Sequence, residues 1–303
     1  MIVSYPESNK LPMPASNLNT SSQQAYGHSL LPSRRQPTRV ICVASGKGGV
    51  GKTNIAINLA QALTCLEQQV LVMDADLSLA NVCVSLGLRP RCNITQVISG
   101  EKSLQDIILP GPGGIQIIPA STGNQRLATL KPTEYVGIVA AFSQLDVIPD
   151  VLLVDLAPGI NDNVVNFCRA AHDIIVVISD EPTSFADASA LIRVLNQECS
   201  VRKFHILVNR IAGPKVGRDI YLRFLRASEH TLDVTPLFFG AIPEDSKLKR
   251  AVKTQTTVVN AYPNSTSALA FHTLAEQLMQ WPHPSGNGGL QFFIEQIVAN
   301  DLN

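Results

Sequence analysis

Strand-length apolar runs recur along the chain, separated by segments whose apolar residues fall at helical spacing. The runs are Arg39–Ala44, Val70–Met73, Ile115–Ile118, Val151–Val154, Ile174–Ile178, His205–Val208 and Leu237–Ile242. They are nearly continuous rather than alternating, which suits strands of a parallel sheet covered on both faces. The segments between them, such as Ile55–Leu66 and Ala186–Gln197, carry apolar residues spaced for one helix face and supply the crossovers. The pattern predicts an α/β fold with a doubly wound, mostly parallel sheet in a single domain.

Open sheets of this kind gather ligands at the carboxyl ends of their strands. Those ends hold Gly46, Asp74, Asp155, Asp180 and Asn209, with Pro243 and Glu244 after the last run. Outside residues 39–282 the pattern stops. Residues 1–38 are rich in Ser, Asn, Gln and Pro with no apolar period, which predicts a disordered N-terminal arm. Residues 283–303 open with a Pro- and Gly-rich linker. They end in a short C-terminal helix whose Leu290, Phe293, Ile294 and Ile297 form an amphipathic stripe.

Composition narrows the setting. Hydrophobic residues make up 45% of the 303 and charged residues 16%, ample for a sizeable core. Basic and acidic residues balance at 24 each, so there is no strong signal for nucleic acid. The start of the chain lacks a secretory pattern, and the apolar runs fall far short of the ~20 residues that span a bilayer. A cytoplasmic protein is expected. Six cysteines without a CxxC pair are expected to be small buried apolar residues rather than metal ligands.

The most specific chemistry is Gly46-Lys47-Gly48-Gly49-Val50-Gly51-Lys52-Thr53, between a strand and a helical stretch. It fits the phosphate-loop pattern GxxxxGK[ST]. Glycines let backbone N–H groups curl around phosphate oxygens, and a helix starting at Lys52 or Thr53 turns its positive end to the anion. The expected nucleotide contacts are Gly48, Gly49, Val50, Gly51, Lys52, Thr53 and Asn54. Lys52 is expected on the β- and γ-phosphates and the Thr53 hydroxyl on Mg²⁺. Asp155, ending a buried strand, is in place to hold the same ion. Asn209 has an amide able to read an adenine.

The second lysine, Lys47, makes this loop resemble the deviant Walker A of the MinD/ParA/nitrogenase iron protein class. That resemblance runs from about Val40 to Ile297. It implies an ATPase that binds ATP and Mg²⁺ and forms an ATP-dependent homodimer, with Lys47 reaching the partner's nucleotide and stabilising the transferring phosphate. It assigns Asp76 to the attacking water, Glu181 to the partner subunit's nucleotide, and Pro243 and Glu244 to the base or ribose. Asp74 is left to support the loop or the Mg²⁺ shell, or to cap the next turn.

Within the class, several stretches resemble the flagellar-number regulators called FlhG or FleN. They are Asp74–Val82, Gly113–Ser121, Asp180–Ser184 with Asp187-Ala188, and Leu290–Glu295. The resemblance implies slow ATP hydrolysis in a switch whose partners are an FlhF-type GTPase and a flagellar transcription regulator. Three features depart from it. Cys83 stands where relatives often carry an aspartate, and the arm offers only Gln23-Gln24-Ala25 for a GTPase-stimulating motif. The C-terminal stripe has no Lys or Arg, so membrane contact through it is weak. A DNA-partitioning ParA-type protein is an alternative, with basic residues concentrated between Arg202 and Lys253. A MinD-like division-site ATPase and a metabolic enzyme of the same fold are the others.

Overall fold

The computed structural model describes residues 37–76, 81–120, 140–142 and 144–282. The expected arm, the C-terminal stripe and Leu77–Ala80 lie outside these residues. Strands β1 (Arg39–Ala44), β2 (Val70–Ala75), β3 (Leu109–Pro110), β4 (Gln116–Ile118), β5 (Val151–Leu156), β6 (Asp173–Ile178), β7 (His205–Ile211) and β8 (Leu237–Pro243) form one sheet. Its order is β3-β4-β2-β5-β1-β6-β7-β8. Every pairing is parallel except β3 with β4. The short antiparallel β3 was not legible as an apolar run, because two residues ending in proline carry no period.

Helices cover both faces. On one lie α1 (Lys52–Thr64), α2 (Asn81–Ser85) and, further along the chain, α8 (Ser246–Lys253), α9 (Val258–Ala261) and α10 (Thr266–Met279). On the other lie α3 (Ile94–Ile98), α4 (Leu104–Ile107), α5 (Asp162–Ala170), α6 (Pro182–Cys199) and α7 (Pro214–Ser228). The strands serve both cores by alternation. Val40, Cys42 and Ala44 of β1 face α5 and α6, while Ile41 and Val43 face α1. This two-sided burial is why the runs are continuous.

The edge strand β8 is the exception. Leu237 is half exposed, and Gly240 interrupts the run. The six thiols are unpaired: Cys42, Cys83 and Cys168 are buried, Cys92 and Cys199 are partly so, and Cys65 is exposed at the end of α1. No helix among the described residues is long and apolar enough to cross a membrane.

Topology places the site. From β1 the chain crosses to β2 on one side, whereas from β6 it crosses to β7 on the other. The crevice opens between such strands, so the loops after β1 and β6 face each other across it.

Candidate functional site

The loop after β1 is built by close backbone approach. A Cβ on Gly46 would lie 2.2 Å from the carbonyl of Asp187, so only glycine lets the loop rest on α6. Gly51 precedes α1 with φ 93°, and a Cβ there would meet the Asn209 amide nitrogen at 2.4 Å. Neither a side-chain cap nor an acidic residue occupies the first turn of α1. Its leading N–H groups and positive dipole end therefore face the loop, the arrangement that binds phosphate. Gly159 donates its N–H to Ser45 O at 2.9 Å, tying the loop after β5 to the loop after β1.

Lys52 and Asp155 meet inside this cradle. Lys52 Nζ is 2.9 Å from Asp155 Oδ1, with the carboxylate fully buried. Burial pushes the Asp155 carboxyl above the usual range, and the Lys52 charge and Thr53 hydroxyl beside it only partly offset this. Asp155 Oδ2 has no protein hydrogen-bond partner. A buried carboxylate oxygen left free beside a threonine hydroxyl is the donor set that fits a hydrated Mg²⁺.

Asp74 pairs with Asp155 across β2 and β5. Its two oxygens accept from Asp76 N–H at 3.2 Å and Val82 N–H at 3.0 Å. Burial first, and then the charge of Asp155, raise it to about 7. Asp74 thus holds the start of the loop that carries Asp76. The latter is buried, and its Oδ2 accepts from Asn81 Nδ2 at 3.0 Å. Cys83, the departure from the family noted in the sequence, is buried on α2, and burial raises its thiol to about 11.

Around the rim, Lys47 turns back onto its own chain. Its ammonium donates to Glu181 Oε2 and, at 3.0 Å, to Thr183 Oγ1, both at the start of α6. Asn209 is buried, donating from Nδ2 to Val50 O at 2.7 Å and accepting the Arg210 N–H at Oδ1. It anchors the end of the phosphate loop and keeps one N–H and one lone pair for a base. Asn54 follows on α1, with a buried Oδ1 that has no hydrogen-bond partner. Pro243 ends β8, and the Glu244 N–H donates to Ile211 O, which sets both beside Asn209. Glu244 itself pairs with Lys249.

The structure thus gathers Lys47, the loop from Gly48 to Asn54, Asp76, Asp155, Glu181, Asn209, Pro243 and Glu244 at one end of the sheet. Sequence reasoning missed Thr183 and Arg210, for which the chain offers no spacing signal. It took Asp245 only together with Pro243 and Glu244, toward the base or ribose, and did not read its place just before α8 as a helix-cap signature.

Known proteins resemble this chain over most of its length. The family described as AAA_31, an AAA domain, matches residues 38–204. The antiactivator FleN of Pseudomonas aeruginosa is 44% identical over 265 residues, which cover 87% of this chain and 95% of that protein. The chain belongs to the MinD/ParA-type ATPases, in their FleN/FlhG branch. The flagellum site-determining protein YlxH of Helicobacter pylori is 32% identical, covering 80% of this chain and 82% of that one. Among solved members of this ATPase class, MinD in the MinC:MinD complex of Aquifex aeolicus superposes with a TM-score of 0.65 at 25% identity. It covers 83% of this chain and 100% of its own. MinD of Pyrococcus horikoshii, solved with Mg-ADP, gives 0.63 at 25% identity, over 80% and 96%. As an ATPase of this family, the chain carries the cradle, the lysine and the acidic strand ends in a single constellation.

Proposed function

We propose that this ATPase is an ATP-gated dimer switch that limits the number and sets the placement of flagella. Lys47 carries the reading. A phosphate loop that only binds nucleotide has no use for a second lysine. Lys47 sits on the rim in a partly exposed pair with Glu181, a weak pair that a second protomer's nucleotide can displace. In the dimer it reaches the partner's nucleotide and offsets charge on the transferring phosphate, and Glu181 moves to the same interface.

Within each protomer, the N–H groups of the loop and Lys52 orient the triphosphate. Thr53 and Asp155 hold Mg²⁺, which when bound supplies charge neutralisation at the β- and γ-phosphates. Asp76 positions the attacking water, held in line by Asp74 and Asn81. Buried and water-poor surroundings make proton removal slow, in keeping with a timer rather than a metabolic enzyme. The ATP dimer is the signalling state, presented in the cytoplasm and at the membrane of the cell pole. An FlhF-type GTPase and a flagellar transcription regulator are its outputs.

The basic surface of α7 supports protein contacts over DNA, because two of its arginines are engaged within the fold. Arg223 pairs with Asp180, and Arg218 lies over Tyr221 and Phe238. Sedimentation with ATP and Mg²⁺ tests the switch. The wild type is expected to shift from monomer to dimer and Lys47→Ala to stay monomeric. A wild-type monomer in saturating ATP overturns the reading.

A further inference from the structure

The chain as a whole is neutral, yet its charges are unevenly spread. Residues 81–92, which run on from α2, hold Arg89 and Arg91 but no Asp or Glu. Residues 246–264, which run from α8 through α9, hold Lys247, Lys249, Arg250 and Lys253 and again no acid. The two stretches meet at Gln255. Its Nε2 donates to Val84 O at 3.1 Å, and a Cβ on Gly87 would lie 2.9 Å from its Oε1. Lys249 pairs with Glu244, and Lys247 lies over Tyr262. Arg89, Arg91, Arg250 and Lys253 are exposed, with no ion-pair partner among the described residues.

Apolar surface sits at the same junction. Val84 on α2 is 66% exposed, the most of any large apolar side chain among the described residues. Val252, three residues before Gln255, is exposed as well. A single exposed valine needs no explanation, but two at the meeting of two acid-free basic stretches make a surface suited to a partner. The junction is also tied to the hydrolytic loop. At the start of α2, Asn81 donates to Asp76, and the Val82 N–H donates to Asp74. A protein gripping Val84 therefore grips the five-residue helix whose first turn positions Asp76.

We propose that the junction of α2 and α8 is a docking surface for an acidic, amphipathic helical segment of a partner protein. Charge selects the partner, since carboxylates complement the unpaired cations and steer the encounter. Apolar side chains at helical spacing on the same segment cover Val84 and Val252. A phosphate backbone would use the cations but leave both valines in water, so nucleic acid fits less well. The surface rests on charge and exposure alone. Its coupling to hydrolysis rests on the role proposed above for Asp76.

The test uses the full chain without nucleotide and a fluorescent synthetic helix with leucine at i, i+3, i+4 and i+7 and glutamate elsewhere. The wild type is expected to bind this helix, more weakly as salt rises. The pairs Arg250→Glu with Lys253→Glu and Arg89→Glu with Arg91→Glu should each weaken binding about tenfold or more. Val84→Ser should weaken it about threefold or more. Arg193→Glu with Arg202→Glu changes net charge equally at exposed positions elsewhere and should bind as the wild type does. Every substituted side chain is exposed, and melting curves check that each variant folds. No binding by the wild type overturns the proposal, as does an equal loss in the control pair. Equal affinity for an all-glutamate peptide of the same length also overturns it, as does tighter binding of duplex DNA lost in the same variants. With MgATP, the bound helix should change the hydrolysis rate about twofold or more. An unchanged rate with the surface occupied refutes the coupling through α2 and leaves the docking surface standing.

Discussion

The ammonium of Lys47 lies 2.5 Å from the carboxylate of Glu181 in the same protomer, with Thr183 as its second acceptor. Both residues were expected at a dimer interface, each acting on the partner's nucleotide. In the free protomer they satisfy one another. Side-chain exposures of 37% and 52% make the pair a weak one, easily exchanged for a phosphate. Lys47 is thereby kept ordered and close to its target until a second protomer arrives.

Glu181→Gln is therefore expected to leave the thermal midpoint and the protomer's ATP affinity unchanged while altering the ATP-dependent dimer. Differential scanning calorimetry, calorimetric titration of the monomer and sedimentation with ATP measure the three separately. A loss of protomer affinity would show that Glu181 serves its own nucleotide instead.

The Lys52–Asp155 pair behaves in the opposite way. Both partners are buried, and removing one strands the other. Lys52→Met is expected to lose ATP binding and to be destabilised by about 3 kcal/mol or more near pH 8. Part of that loss should return on acidification. Without Lys52 the buried Asp155 has a folded pKa far above its unfolded value. Its protonated form then contributes stability that is present at low pH and lost as pH rises. Urea unfolding from pH 5 to 8 checks this, and a variant no more stable at pH 5 than at pH 8 would contradict it.

Asp74 gives the wild type a pH slope of the same sign. Its carboxyl is raised to about 7, chiefly by burial and next by Asp155, from 3.8. Stability linked to it is complete below the unfolded value and lost as pH rises through about 7. Nucleotide- and Mg²⁺-free protein should lose stability between these limits at up to about 1.4 kcal/mol per pH unit. Asp74→Asn should flatten that slope whatever it does to the absolute value, since the amide cannot titrate. An unchanged slope would assign the titration elsewhere.

Much of this was legible in the chain for one physical reason. Strands buried on both faces must be apolar throughout, so their polar ends stand out, and these ends are the site. Gly46 and Gly51 were legible because close backbone approach excludes every other residue. Side-chain direction was not. Asn209 was expected to read a base, yet its amide first secures Val50 O. Whether a lysine points inward or outward depends on its neighbours, and Thr183 was invisible for that reason. The bulge that sets Arg210 beside Asn209 was hidden too, a register event between β7 and β8 that no local pattern encodes.

Asp245 joins the two helices that flank the end of β8. Its Oδ1 accepts from Lys247 N–H at 2.8 Å, capping α8. Its Oδ2 accepts from Ser267 N–H, Ser267 Oγ and Thr266 Oγ1 at the start of α10. Burial would raise this carboxyl, but the bonds from Ser267, Lys247 and Thr266 outweigh it and bring it to about 2. A depressed carboxylate contributes stability above its unfolded value that is lost as pH falls through about 2. Asp245→Ala should cost about 2 kcal/mol at pH 7, from the lost cap and the stranded Ser267 donors. Asp245→Asn should cost less, because its oxygen can still cap α8 while the clamp on α10 is lost. Because Glu244 is the adjacent residue, both variants should also weaken ATP binding, with alanine the more severe. Urea titrations at pH 7 and at pH 3, set beside ATP titrations, separate the cap from the clamp. Equal losses for alanine and asparagine would show that Oδ2 alone carries the effect.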